Sequence, residues 1–129
     1  MEKILKIINE QMKSLGVEYY YLYNNAPTVS YPYVTGEFTQ NGYSYEDNSN
    51  TADMLLECWN RGSQTNLVNL QEKIKENFRD LHVIKDNVVA HISYNSAYPV
   101  RTNDANLFKV EIHLDITYWE GEQQWVITH

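Results

Sequence analysis

The stretch Asn106–Trp119, NLFKVEIHLDITYW, constrains the fold more tightly than any other part of the chain. Phe108, Val110, Ile112, Leu114, Ile116 and Tyr118 are apolar, while Lys109, Glu111, His113, Asp115 and Thr117 between them are polar or charged. A period of two sends successive side chains to opposite faces of a pleated strand, so this segment specifies a β-strand with one face on a core and the other toward something wet. Any fold for the chain must therefore contain a sheet with two unlike faces. Whether the polar face meets solvent, a substrate or another copy of the chain is the functional question.

Ile4, Leu5, Ile8, Met12 and Leu15 recur at spacings of three and four, which predicts an amphipathic helix over residues 2–15 with Gly16 as its C-terminal cap. VEYYYLY, residues 17–23, has the β-branched and aromatic character of a first strand. Pro27 and Pro32 exclude helix from the loop that follows. YVTGEF, residues 33–38, is a second strand with Val34 and Phe38 on one face and Gly36 between them, where a bulge or close packing is expected. Residues 39–50, TQNGYSYEDNSN, have no apolar stripe and read as a mobile polar loop or hairpin tip, with Asn41-Gly42 as a favourable turn pair.

Residues 51–60 resume strand character. Met54, Leu56 and Cys58 share one face; Asp53, Leu55, Glu57 and Trp59 share the other, whose mixed polarity predicts partial cover. Ser63 or Thr65 is the expected N-cap of a second helix over 65–81, with Leu67, Leu70, Ile74, Phe78 and Leu81 as its apolar stripe. Residues 87–94 give a fourth strand, NSAYPVRTNDA a turn-rich loop, residues 106–119 the longest strand, and residues 120–129 a loose tail. Helices that do not alternate with strands imply an α+β fold: a mostly antiparallel sheet of four to five strands with two helices packed on one face. A chain of 129 residues suits a single domain over 1–129.

Composition removes several functional classes. The net charge of −7 repels phosphate backbones, and no segment gathers enough Lys or Arg for a basic stripe, so direct nucleic-acid binding is not expected. One cysteine, Cys58, excludes an intramolecular disulfide and a Cys-rich zinc cluster. No stretch has the length of a membrane span, and the charge-interrupted N-terminus lacks a signal-peptide core; the expectation is a soluble protein made in the cytoplasm. Eleven tyrosines are the one compositional excess, a residue type suited to half-buried sheet positions and to contact surfaces.

Chemistry has few candidates. His91 and His113 fall on adjacent expected strands, and Glu111 and Asp115 flank His113 on its own face. Strand steps of two separate such side chains by about 7 Å, too far for one straight strand to bring all three to a metal. A solvated polar face explains them better than a metal or acid–base site. Cys58, set among Met54 and Leu56, has the pattern of a small buried hydrophobe and not of a nucleophile. No phosphate-binding glycine loop, GxSxG elbow or HExxH occurs. Neither enzymatic activity nor a cofactor or metal is expected.

The order of elements, with PYVTGEF, a polar hairpin, TADMLLECW running directly into LVNLQEKIKENF, and the closing FKVEIHLDITYW, resembles the tail terminator or tail-completion proteins of long-tailed phages. The resemblance covers residues 2–119. It implies a structural virion or prophage protein that caps the tail tube and joins tail to head by forming a ring, commonly a hexamer, and that is monomeric or ringed depending on the tube. Its implied partners are itself, the tail tube protein and a head–tail connector protein, and its implied location is the virion tail. Family members have no catalytic residues to carry over. The tyrosine-bearing loop and the polar strand face give the expected interface: Tyr43, Tyr45, Glu46, Asp47, Glu111, His113 and Asp115. The alternatives are a small-molecule or carbohydrate-binding module with a Tyr-rich surface, or a related head-closure protein.

Overall fold

In the computed structural model, which describes residues 1–121, the alternating segment is a central strand around which the sheet is built. The elements are α1 (Glu2–Ser14), β1 (Tyr19–Tyr21), β2 (Tyr33–Tyr43), β3 (Asn50–Arg61), α2 (Gln64–Phe78), β4 (Asp80–Lys85), β5 (Val88–Val100) and β6 (Leu107–Glu120). One six-stranded sheet has the order β1-β2-β3-β6-β5-β4. β1 pairs parallel to β2, and every other pairing is antiparallel. The fold is α+β with two helices, and its mixed sheet has six strands where the sequence led to four or five.

Burial follows the alternation. Val110, Ile112, Leu114, Ile116 and Tyr118 of β6 point inward beside Ala52, Met54, Leu56 and Cys58 of β3 and Val88, Ala90 and Ile92 of β5. Ile4, Ile7, Ile8 and Met12 of α1 and Leu67, Leu70, Ile74 and Phe78 of α2 join the same buried cluster. The helices start and stop where local chemistry directs. Ser63 Oγ accepts from the Asn66 N–H at 3.3 Å and caps α2. At the end of α1, Gly16 has φ +72°, and the Gly16 and Val17 N–H groups donate to the Lys13 and Met12 carbonyls, the Schellman arrangement.

Four expectations are corrected. The second helix stops at Phe78, and Leu81 belongs to β4, where it packs against the core from a strand. Leu81 continues the apolar stripe of α2, so the expected helix overruns the first two residues of β4, and the rest of β4 lies in a stretch assigned to no element. Residues 95–100, expected as loop, extend β5 to Val100. Pro99 is tolerated there because β4 covers β5 only as far as Ser93, so the rest of β5 is a sheet edge. Residues 39–43, expected as part of a mobile loop, continue β2 against β3, and only residues 44–49 form the connection. Asn41-Gly42 is no turn, for the register shift between Gln40 and Gly42 makes Asn41 the extra residue of an irregularity inside the ladder. At Gly36 the ladder is unbroken and the packing close: an added Cβ would collide with the Tyr19 hydroxyl and the Met54 methyl. Of the tail expected over 120–129, residues 122–129 lie outside the described residues.

Candidate functional site

With the apolar residues turned inward, the register lines the outward ones into rows across the sheet. Thr35, Glu57, Glu111 and Tyr98 form one row; Tyr33, Trp59, Lys109 and Val100 form the next. Thr35 is buried, Tyr98 is exposed and the other members of the two rows are half-buried.

Lys109 anchors this face. Its ammonium lies 2.5 Å from Glu57 and 3.4 Å from Glu111, and 4.7 Å from the centre of the Trp59 ring. Burial works against its charge, but hydrogen bonding to Glu57 and the fields of both carboxylates outweigh that, so its pKa is raised. Tyr33 stacks on the other side of the row against Trp59, with ring centres 6.3 Å apart, and Tyr31 and Tyr20 pack on Tyr33. The partial cover expected over Trp59 thus comes from neighbours on its own face. Tyr98 ties the next two expected residues together: its hydroxyl is 3.2 Å from Glu111 Oε1 and 3.0 Å from His113 Nε2, and its ring stacks on the His113 imidazole.

Asp115 stands directly opposite Asp53. Like charges so placed are destabilising, and each is offset by an amide donor: Asn95 to Asp115 and Asn41 to Asp53, both at 2.9 Å. Both asparagines sit at the irregularities of their strands, Asn95 between Tyr94 and Ser96, Asn41 between Gln40 and Gly42. The bulges therefore aim the two donors at the paired carboxylates.

The other expected interface residues lie at the β2–β3 connection. Tyr45 is 89% exposed and packs edge-on against Tyr43, whose hydroxyl donates to Asn48 Oδ1 at 2.7 Å. Asp47 caps the Ser49 N–H, and hydrogen bonds from Ser49 hold its carboxyl below the usual range. The Trp119 indole donates to the Asp47 carbonyl at 2.9 Å and pins the turn to β6. Glu46 has no part in these contacts and lies exposed beside Tyr45. The tip and the Glu111 row are not one site. Asn50 faces Tyr118 and Glu57 faces Glu111, seven strand residues apart, or roughly 23 Å.

His91 and His113 do occupy neighbouring strands, but they are not brought together. His91 is opposite Thr117 and His113 opposite Ser96, about 13 Å apart along β6. His91 instead faces His82 across the β4–β5 ladder, and Asp80 Oδ1 lies 2.7 Å from His91 Nε2 and 3.2 Å from His82 Nε2. Hydrogen bonding from His91 holds the Asp80 carboxyl below its ordinary range. Among the described residues this is the one group of three possible metal ligands with ligand atoms within 4.8 Å of one another. Sequence reasoning missed it with β4 itself. The signal was present: Asp86-Asn87 between alternating segments is hairpin chemistry.

Cys58 is fully buried, and burial pushes its thiol up to about 12, so it is no nucleophile at neutral pH. A groove of about 530 Å3 between α2 and the β5–β6 connection is lined in part by Leu67, Val68, Pro99, Phe108 and Val110. Its polar rim includes Asp104, already paired with Arg61 at 2.7 Å, and it brings no reactive group to the apolar wall. No protein-family model matches the chain, and a search of curated proteins finds none that matches it.

Proposed function

We propose that this chain is a ring-forming structural subunit that caps the tail tube of a long-tailed phage or prophage and joins it to the head. One observation carries the reading: the sheet is covered by two helices on one face, while the other holds a pre-organised array of charges and aromatics. In the proposed ring, the Glu111, His113 and Asp115 row meets the neighbouring copy, and the Tyr43–Tyr45 tip reaches the tube or the connector. Charges fixed by hydrogen bonds before contact lose little entropy on docking and set register more than affinity. Tyr43 and Tyr45 supply rigid amphipathic contact area. A hexamer is the ring size the resemblance implies.

Electron microscopy of tails assembled with and without the protein tests this. The expected result is one extra ring at the head-proximal end of the tube when the chain is present; tubes with identical ends in both preparations would overturn it. A ring found on the head portal and not on the tube would favour the head-closure alternative. The stacked Tyr33–Trp59 pair favours one further reading, a carbohydrate-binding module, since such rings form platforms for sugar faces. Saturable quenching of tryptophan fluorescence by a glycan, lost in Trp59→Ala, would favour that reading over the ring.

A further inference from the structure

We propose that Asp80, His82 and His91 form a binding site for a divalent transition-metal ion of the zinc class. The site is independent of the ring reading and stands on geometry. The β4–β5 hairpin turns on Asp86 and Asn87, whose φ values of 51° and 65° match the tight turn that locks strand register. That register sets His82 directly opposite His91, where side chains on one face start about 4.5–5.5 Å apart. The two imidazoles stack at 4.2 Å with 13° between their planes. Asp80 lies one strand repeat before His82 and so projects on the same face.

The nitrogens therefore converge. Both Nε2 atoms approach the same carboxylate oxygen, at 2.7 and 3.2 Å. An ordinary ion pair would account for one of these contacts but not for a second imidazole stacked alongside and aimed at the same point. A tetrahedral ion with bonds of about 2.0–2.1 Å holds its ligand atoms roughly 3.3 Å apart. The ligand atoms now lie within 4.8 Å of one another, so coordination requires the two exposed-edge imidazoles to turn out of their parallel stack until both Nε2 lone pairs point at the ion. Two imidazoles and one carboxylate suit Zn²⁺, and the same set accepts Ni²⁺ or Cu²⁺; Mg²⁺ and Ca²⁺ require more oxygen donors. Three protein ligands leave a coordination position for water. β4 ends the sheet, with Asp80 and His82 both exposed, so the ion reaches the site from solvent without opening the fold.

Titrating ZnCl2 into the metal-stripped full chain, by calorimetry and by NMR of the histidine rings, tests the assignment. The expected result is one ion per chain, with the His82 and His91 resonances moving together and that of His113 unmoved. His82→Ala and His91→Ala should each weaken binding at least tenfold, Asp80→Asn should weaken it too, and His113→Ala should leave it unchanged. Circular dichroism of each variant checks the fold, with His91→Gln as the substitute should His91→Ala disturb the hairpin. MgCl2 should give no heat. Absence of zinc binding to the parent chain, or binding that survives both His82→Ala and His91→Ala, would overturn the site.

Discussion

Glu111 and Ile112 are adjacent in the chain and have opposite surroundings. Ile112 is fully buried, paired across the ladders with Leu56 and Ala97, whereas Glu111 joins Lys109 and Tyr98 on the opposite, half-buried face. Ile112→Asp places an unpaired charge in the core and should unfold the domain, at a cost above about 4 kcal/mol, read as loss of a cooperative thermal transition. Gly36→Ala has a smaller expected cost, about 1–3 kcal/mol by denaturant melting, because the new methyl must displace the Tyr19 ring and the end of Met54. A pH effect follows from the same burial. Burial raises the pKa of Cys58 from 9.0 to about 12 and that of Tyr19 above its ordinary 10.0. In the unfolded chain each group loses its proton at the lower value while the folded chain retains it. Stability is thus whole below pH 9 and falls above it, by up to about 1.4 kcal/mol per pH unit for the thiol alone, until the folded thiol titrates near 12. Denaturant midpoints measured from pH 8 to 11 should decline along that slope, and Cys58→Ala should flatten it between 9 and 10.

At the scale of elements, legibility tracked how much of each signal was local. β6, the faces of β3 and both caps were legible because period, Gly16 and Ser63 each act within a few residues. β4 was not, since Leu81 extends a helical stripe and Arg79, the cap residue of α2, supplies no breaker. The end of β5 was obscured by Pro99, whose tolerance depends on how far β4 reaches, a tertiary fact. The polar row of β6 was legible as a face, but its fixing by Tyr98 and Asn95, like that of Asp53 on β3 by Asn41, depends on pairing and bulges. The β2–β3 hairpin yields a prediction of its own. Tyr43 and Tyr45 contribute little to the core, so changing both to Ala should shift the melting midpoint by no more than about 4 °C while abolishing tail joining. Infectious particles in normal yield from that double variant would remove the tip from the interface.

At the scale of the whole molecule the two sheet faces are unequal: one is buried under α1 and α2, and the other carries the charged and aromatic array that, in the proposed ring, meets a neighbouring copy. The charges on that second face are the part of the proposal most open to direct attack. Glu111→Lys combined with Asp115→Lys reverses the row; Lys109 loses one partner but keeps Glu57, neither side chain enters the core, and removal of Asp115 relieves its repulsion with Asp53, so the fold should persist. The deciding measurement is a head-to-tail joining assay on this double variant, run beside its thermal melt and that of the parent chain. The expected result is a melt unchanged within a few degrees and joining reduced at least tenfold. Joining at the parent level by a folded double variant would contradict it.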